Sequence, residues 1–230
     1  MIDILKKQVY EANLLLPKYG LVVLTWGNVS AIDREKGIIV IKPSGVNYDD
    51  MTPDKMVVVD MNGKIVSGDF KPSSDLMTHL ELYKRFDCIG SIIHTHSRWA
   101  TIWSQMGEEI PPFGTTHADV FNGAIKCTEN LSDQKINDNY ECNIGRQIAD
   151  TIDTKYAEEI PAILVKNHGP FIWGKTINKA IENAVTLEEV AMIGWHMKQI
   201  NGCENNILQD SLLKKHYYRK NGDNSYYGQR

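Results

Sequence analysis

The chain has 230 residues, of which 42% are hydrophobic and 23% charged, and its formal net charge is −4. This composition is ordinary for a globular protein, and the length suits one large domain or two small ones. The weak negative charge offers no attraction to nucleic acid or to an anionic membrane. No apolar run approaches the length of a membrane span, and charges interrupt the N-terminus before a signal peptide could form.

The cysteines do not form a recognisable framework. They are Cys88, Cys127, Cys142 and Cys203. None is spaced as Cys-x-x-Cys, so neither a zinc ribbon nor a disulfide scaffold is predicted. Free thiols suit a reducing compartment, and we expect a cytoplasmic protein.

The first half of the chain combines helices with antiparallel strand signals. Apolar residues at three- and four-residue steps predict an opening helix that stops before Gly20. Asn62-Gly63 between two β-branched runs predicts a hairpin with a type I′ turn. A second helix is predicted over 76–86. The predicted strands are 28–32, 37–42, 56–60, 64–66 and 89–96.

The second half is mostly helical. Its least regular part, 107–140, contains Pro111-Pro112. Helices are predicted over 98–106, 144–154, 176–199 and 208–220, and strands over 162–165 and 170–173. Since no linker or repeat interrupts the pattern, we predict that residues 1–230 form a single α/β domain. Its architecture is expected to be three-layered, with helices on both faces of a mainly antiparallel sheet.

Three histidines are the clearest sign of chemistry. His94 and His96 follow the apolar run 91–93, and His168 follows the apolar run 162–165. Because side chains alternate along a strand, two histidines one residue apart face the same way and can bind one ion. Three imidazoles leave a coordination position open for substrate. A lone histidine is more often a core or surface residue, but this combination favours a metal site.

Three short segments combine small residues with hydroxyl or amide donors, namely 26–28, 42–45 and 72–74. Ser73 and Ser74 stand at a predicted helix start, where free N–H groups and the helix dipole favour an anion. Each segment taken alone is better explained as a helix cap or a turn. Neither a P-loop nor a Gly-x-Gly-x-x-Gly pattern is present, which argues against a nucleotide.

Two acids and a phenol complete the candidates. Asp75 follows the serines and is either a metal ligand, a neighbour of the metal, a base or a simple first-turn acid. Asp119 lies in the irregular stretch, where both catalytic residues and ordinary turn residues occur. Tyr227 is three residues from the end, and a tail with two tyrosines is expected to dock.

These residues together resemble the class II aldolase/adducin-like family over essentially the whole chain. The motifs that carry the resemblance are Gly27-Asn28, Lys42-Pro43-Ser44-Gly45, Pro72-Ser73-Ser74-Asp75, Thr78-His79, His94-Thr95-His96-Ser97, Gly114-Thr115-Thr116-His117-Ala118-Asp119, His168-Gly169-Pro170 and Tyr226-Tyr227-Gly228-Gln229. Three of them resemble the L-ribulose-5-phosphate 4-epimerase branch in particular. These are Asp75, where related aldolases commonly have glutamate, the stretch at 115–119, and the tail.

The resemblance implies a role for each candidate. Zinc, one ion per subunit, or another divalent ion is expected at His94, His96 and His168, with Asp75 coordinating or close by. The phosphate of a sugar-phosphate substrate is expected at Gly27, Asn28, Ser44, Gly45, Ser73 and Ser74. Asp119 and Tyr227 are expected to form an acid/base pair. In a homotetramer this pair would complete the active site of an adjacent subunit.

The expected reaction is metal-dependent inversion of L-ribulose 5-phosphate at C4, giving D-xylulose 5-phosphate, as in arabinose or ascorbate breakdown. Direct proton removal is unattractive because the C4 hydrogen is not next to the carbonyl. Cleavage of the C3–C4 bond is feasible if a divalent ion stabilises the enediolate. The aldehyde then turns its other face and the bond re-forms. Such a cycle needs two acid/base residues on opposite faces.

Three alternatives remain. A class II aldolase for a sugar phosphate such as L-fuculose 1-phosphate would share the metal and the cleavage but release its fragments. Adducin-like heads share the fold without enzyme activity, although a binding head has no need of three metal histidines. A zinc hydrolase would need a partner motif such as His-Glu-x-x-His, which the sequence lacks.

Overall fold

The computed structural model describes residues 2–200, 206–221 and 225–227. In these ranges one sheet is formed by β1 (Asn28–Asp33), β2 (Ile38–Ile41), β3 (Val57–Asp60), β4 (Ile65–Ser67), β5 (Ser91–His94), β6 (Ala162–Val165) and β7 (Gly169–Gly174). The helices are α1 (Ile2–Lys18), α2 (Leu76–Arg85), α3 (Arg98–Met106), α4 (Thr115–Ala118), α5 (Asp133–Asn137), α6 (Tyr140–Thr151), α7 (Thr154–Glu159), α8 (Ile177–Gln199) and α9 (Asp210–Lys220). The strand order is β4-β3-β2-β1-β5-β7-β6, and every neighbouring pair is antiparallel.

Helices cover both faces of the sheet. The Ser30 hydroxyl on β1 hydrogen-bonds with His79 and Tyr83 of α2, whereas the next residue, Ala31, lines a groove with α1. Because successive side chains on a strand point to opposite faces, α1 and α2 lie on opposite sides of the sheet. Helix α6 packs on α2, while α8 contacts both α1 and α3. The predicted three-layer α/β arrangement with an antiparallel sheet is confirmed.

Several loops leave the sheet at the same end of its strands, which is called the site edge below. Asn28, the first residue of β1, pairs with His94, the last residue of β5, and His94 in turn pairs with Phe171 of β7. Strands β1 and β7 begin at this site edge. Because β2 and β6 run antiparallel to them, β2 and β6 end there. A bridge between Pro43 and Pro72 brings the segment before α2 to this edge as well. The topology therefore gathers the polar motifs of the sequence in one place.

Most predicted elements are found, but some boundaries differ. Strand β5 ends at His94, two residues earlier than predicted. Its neighbour β1 begins only at Asn28, after Gly27 with φ of +78°, so the ladder stops there. Helix α6 starts at Tyr140 rather than near 144, and the short helix α7 was not predicted.

The prediction of a type I′ turn in the β3–β4 hairpin is wrong. Gly63 has φ of +82°, but Asn62 does not have the positive φ that this turn also requires. Instead, the Asp60 N–H donates to the Lys64 carbonyl over 2.9 Å, which closes a three-residue loop. The Asp60 carboxylate accepts the N–H groups of Asn62 at 2.8 Å and Lys64 at 3.0 Å. A three-residue loop, with Gly63 at positive φ and the Asp60 carboxylate as an acceptor, thus replaces the predicted two-residue turn.

The buried apolar side chains form one continuous cluster that extends from α1 across the sheet to α8. In the described part of the chain, Cys88, Cys127 and Cys142 are free thiols, and Cys203 lies outside it. None of the described helices combines the length and apolar character needed to cross a membrane.

Candidate active site

A cavity of about 620 Å³ lies at the site edge of the sheet, where the polar motifs meet. All the residues predicted from the sequence for the metal and for the phosphate line its wall. The lining residues are Thr25, Trp26, Gly27, Asn28, Lys42, Pro43, Ser44, Gly45, Ser73, Ser74, Asp75, His94, His96, Tyr140, Glu141 and His168. The cavity thus joins the histidines and the three donor-rich segments in a single space.

The three histidines form one cluster. One ring nitrogen from each of His94, His96 and His168 lies within 4.8 Å of the other two. The Nε2 atoms of His94 and His96 are 3.1 Å apart. Nitrogens that bind one tetrahedral zinc at about 2.0–2.1 Å are separated by roughly 3.3 Å. The spacing therefore suits a shared divalent ion, although His96 lies beyond the strand on which it was predicted.

His94 is held in the form that binds a metal through Nε2. Its Nδ1 atom is 3.0 Å from the Pro170 carbonyl oxygen, which can only accept a hydrogen bond. Nδ1 therefore carries the hydrogen, and the Nε2 lone pair faces the other histidines. The ring also stacks on Phe171, with centroids 4.2 Å apart and planes inclined by 19°.

The imidazoles of His96 and His168 also favour the neutral state that metal binding requires. Burial, followed by the neighbouring His94 and His96, lowers the pKa of His168 to about 4. Burial and His94 likewise lower the pKa of His96 from its ordinary value. Both rings therefore present lone pairs at neutral pH, when competition from protons is weak.

Asp75 stands beside the histidine cluster rather than within it. Its Oδ2 atom accepts hydrogen bonds from the Asn28 amide at 2.7 Å and from the Ser73 hydroxyl at 3.4 Å. Burial alone would raise the pKa of the Asp75 carboxyl, but the nearby imidazoles, led by His94, and the Asn28 amide outweigh it. The pKa is lowered on balance, so Asp75 is ionised next to the metal ligands.

The far end of the cavity is made of two loops held side by side. The Ser73 N–H donates to the Lys42 carbonyl, and the Ser44 N–H donates to the Lys71 carbonyl, both over 2.9 Å. Helix α2 begins at Leu76, as predicted, with Asp75 at its N-cap. Ser44 and Ser74 are exposed to the cavity, so their hydroxyls are available to a ligand.

Lys42 was missed as a site residue, although it belongs to a motif in the sequence. Its side chain is only 2% exposed, and burial lowers its pKa to about 8. The ammonium donates to the carbonyls of Thr25 at 3.2 Å and Pro43 at 3.5 Å. No carboxylate in the described ranges pairs with it. A buried cation without a counter-ion favours an anionic ligand in the cavity.

Tyr140 and Glu141 were also missed, because the sequence pattern placed the start of α6 near residue 144. The Tyr140 ring lies parallel to the His168 ring, with 6.4 Å between centroids and planes inclined by 13°. The Thr78 hydroxyl of α2 donates to the Glu141 carbonyl over 2.6 Å. This bond fixes the first turn of α6 against the cavity.

Asp119 and Tyr227 come together, but away from this cavity. Asp119 directly follows α4 and accepts hydrogen bonds from Arg219 at 2.9 and 3.0 Å and from His216 at 3.0 Å. Burial opposes ionisation, but Arg219 and His216 outweigh it and lower the pKa of Asp119. The Arg219 guanidinium lies 4.7 Å from the centre of the Tyr227 ring. The described part of the tail therefore docks on α9 of its own chain, and neither residue lines the histidine cavity.

Comparison with known proteins identifies the family. Residues 7–195 match the family model described as "Class II Aldolase and Adducin N-terminal domain", and the chain belongs to this family. Class II aldolases typically depend on a divalent metal, and the histidine cluster can bind one.

Solved structures with the same fold are similar over most of their length. An L-fuculose 1-phosphate aldolase is 25% identical with a TM-score of 0.76, and the match covers 92% of this chain and 95% of that one. YgbL from Escherichia coli, for which aldolase, epimerase and decarboxylase activities are all suggested, is 22% identical with a TM-score of 0.75, covering 93% and 98%. A sugar-phosphate aldolase from Thermotoga maritima is 18% identical with a TM-score of 0.64, covering 86% and 96%.

Proposed function

We propose that this protein is an L-ribulose-5-phosphate 4-epimerase, which inverts C4 by breaking and re-forming the C3–C4 bond. The observation that carries the proposal is the shared cavity. One end holds the three imidazoles beside an ionised Asp75, and the other holds the buried Lys42 ammonium, which has no carboxylate partner among the described residues, with serine hydroxyls. This arrangement suits a molecule with vicinal oxygens at one end and a phosphate at the other.

Each end of the cavity then has a task. His94, His96 and His168 hold zinc or another divalent ion, which supplies Lewis-acid stabilisation of the charge left by C3–C4 cleavage. Ser44, Ser73, Ser74, the backbone at Gly27 and Gly45, Asn28 and Lys42 hold the phosphate. Anchoring the phosphate retains the two-carbon aldehyde while it turns its other face. Retention of that fragment distinguishes an epimerase from an aldolase.

The acid/base pair is proposed to come from a neighbouring subunit of a homotetramer. Asp119 and Tyr227 both contact Arg219 of α9 but do not line the cavity of their own chain. Beside that cavity, Trp26 is 51% exposed and Leu24 is 73% exposed, with Leu24 held at φ of +55°. Exposed apolar side chains beside a polar cavity suit contact with another protein surface. A second subunit seated there would bring its own Asp119 and Tyr227 to the substrate.

The direct test is incubation of the zinc-loaded protein with L-ribulose 5-phosphate, followed by detection of D-xylulose 5-phosphate. We expect conversion without accumulation of free glycolaldehyde phosphate, and much slower reaction of unphosphorylated L-ribulose. If both sugars reacted at equal rates, the phosphate site would be wrong. The free thiols of the described residues further suit the cytoplasmic location that we propose.

A class II sugar-phosphate aldolase is the second candidate, favoured by the 25% identity to an L-fuculose 1-phosphate aldolase. It would use the same cavity but let the aldehyde leave. Incubation with L-fuculose 1-phosphate and a coupled assay for dihydroxyacetone phosphate separates the two. Efficient fragment release from that sugar, with no inversion of L-ribulose 5-phosphate, would establish the aldolase instead.

A further inference from the structure

The N-terminus of α3 is capped by a side chain from another helix. Helix α3 starts at Arg98, directly after the corner that carries His96. The two carboxylate oxygens of Glu188, on α8, accept the backbone N–H groups of Trp99 at 2.9 Å and Ala100 at 3.0 Å. Ser97 occupies the N-cap position but makes no capping bond with its own side chain. Glu188 therefore performs the capping that Ser97 does not.

The Glu188 cap is a strong contact between two helices that are distant in sequence. A carboxylate that accepts two N–H groups makes charge-assisted hydrogen bonds, and its charge also complements the positive end of the helix dipole. A second bond ties the later part of α3 to α8, where the Trp103 indole N–H donates to the Ala191 carbonyl over 2.9 Å. Of the two anchors, the Glu188 cap lies closer to His96, because it holds the backbone of Trp99 and Ala100, which follow His96 by three and four residues.

The position of the His96 ring depends on the backbone more than the position of the His94 ring does. The His94 ring is fixed by the Pro170 carbonyl and by stacking on Phe171. Among the described residues, the His96 ring makes its hydrogen-bond contact only with His94. The residue also lies beyond the last rung of β5, so no ladder bond holds it. Its place in the cluster is therefore set by the corner between β5 and α3.

We infer that Glu188 is a positioning residue for the metal site, which holds His96 in place through the N-terminus of α3. The inference rests on the metal site of the proposed function. Removal of groups that orient a metal ligand typically weakens metal affinity roughly 10–100-fold. We expect Glu188→Ala to weaken zinc binding by about this factor. Glu188→Gln keeps one acceptor oxygen and should weaken it less.

The experiment measures zinc affinity of the metal-stripped full-length protein by competition with a chromogenic chelator. Glu189→Ala is the matched control, because Glu189 is the adjacent acid and is exposed. Trp103→Phe is the second control, since it removes the other bond between α3 and α8 while leaving the cap in place. We expect both controls to bind zinc within about threefold of the unchanged protein. Hydrogen exchange of the Trp99 and Ala100 amides should accelerate in Glu188→Ala.

The outcomes separate this inference from the proposed function. If the unchanged protein binds no stoichiometric zinc, the metal site itself is wrong and both fail. If the unchanged protein binds zinc and both Glu188 variants bind it with the same affinity as the unchanged protein, the positioning role alone is overturned. Equal weakening by Trp103→Phe would also overturn it, because general loosening of α3 would then explain the loss. Should Glu188→Ala fail to fold, Glu188→Gln decides by the same comparison.

Discussion

The Asn28 amide nitrogen lies 2.7 Å from the Asp75 carboxylate and 3.0 Å from the Ser73 hydroxyl. One side chain therefore joins the loop proposed for the phosphate to the acid beside the histidine cluster. Asn28 is 1% exposed, and its amide oxygen has no hydrogen-bond partner among the described residues. The buried amide therefore adds a second contact between the Ser73 hydroxyl and the Asp75 carboxylate, which also meet directly over 3.4 Å.

Asn28→Ala should raise KM for L-ribulose 5-phosphate by roughly 10–100-fold, because hydrogen bonds to charged groups contribute about 1.5–3 kcal/mol. Zinc content should change little, since Asn28 is not a predicted ligand. Free glycolaldehyde phosphate is expected to appear as the looser site releases its fragment. Steady-state kinetics and metal analysis measure these effects, with the exposed residue Asn62→Ala as control. An unchanged KM would contradict the phosphate assignment.

Lys42 predicts a pH dependence for substrate binding. Burial lowers the pKa of its ammonium to about 8, so the group loses its charge as pH rises through that value. The kcat/KM for the phosphorylated sugar should therefore fall above about pH 8, because this ratio reports groups of the free enzyme. Lys42→Met should have low kcat/KM without this alkaline fall. A fall of the same shape in Lys42→Met would assign the pH dependence to another group.

The parts of the fold predicted best are those in which local pattern and tertiary packing agree. The long apolar stripe of α8 and the β-branched runs of β2 and β3 are recognisable because each buries a continuous face. The hairpin turn was predicted wrongly, since the loop has three residues with only Gly63 at positive φ, and the Asp60 carboxylate accepts N–H groups from it. Side-chain acceptors of this kind are not visible in a hydrophobic pattern.

The candidate site shows the same division. The histidines and serines were recognised because their residue types suggest a ligand and their spacing suggests a strand or a helix start. Lys42 and Glu188 are different, since a lysine or glutamate is usually a solvated surface residue. Their roles arise only from hydrogen bonds between segments far apart in sequence. Lys42 donates to the Thr25 carbonyl, and Glu188 of α8 accepts from the N-terminus of α3. Such relationships need the folded chain.

His96→Ala should remove most of the bound zinc and most activity. It deletes one of three imidazoles whose ring nitrogens lie within 4.8 Å of one another. Loss of a direct ligand should weaken affinity at least as much as the roughly 10–100-fold found for residues that merely orient ligands. Metal content after dialysis and chelator competition measure the effect, and His196→Ala, an exposed histidine on α8, is the control. Full occupancy in His96→Ala would show that the cluster is not the metal site.

Mixing two inactive variants tests whether subunits share their active sites. Tyr227→Phe removes the proposed catalytic hydroxyl but keeps the ring that lies over Arg219 and Lys220. Loss of an acid/base group typically lowers rate by about 10²–10⁴-fold, and His96→Ala should be at least as inactive.

In a fourfold ring assembled at random from equal amounts, about one quarter of the interfaces pair an intact metal site with an intact tyrosine. Co-expression of differently tagged subunits and double-affinity purification, which removes tetramers of a single variant, should therefore restore up to roughly two sevenths of the unchanged activity. Each variant purified alone serves as the baseline. Mixed assemblies that stayed as inactive as that baseline would mean that each chain builds its site alone. Full activity of Tyr227→Phe by itself would show instead that Tyr227 has no catalytic role.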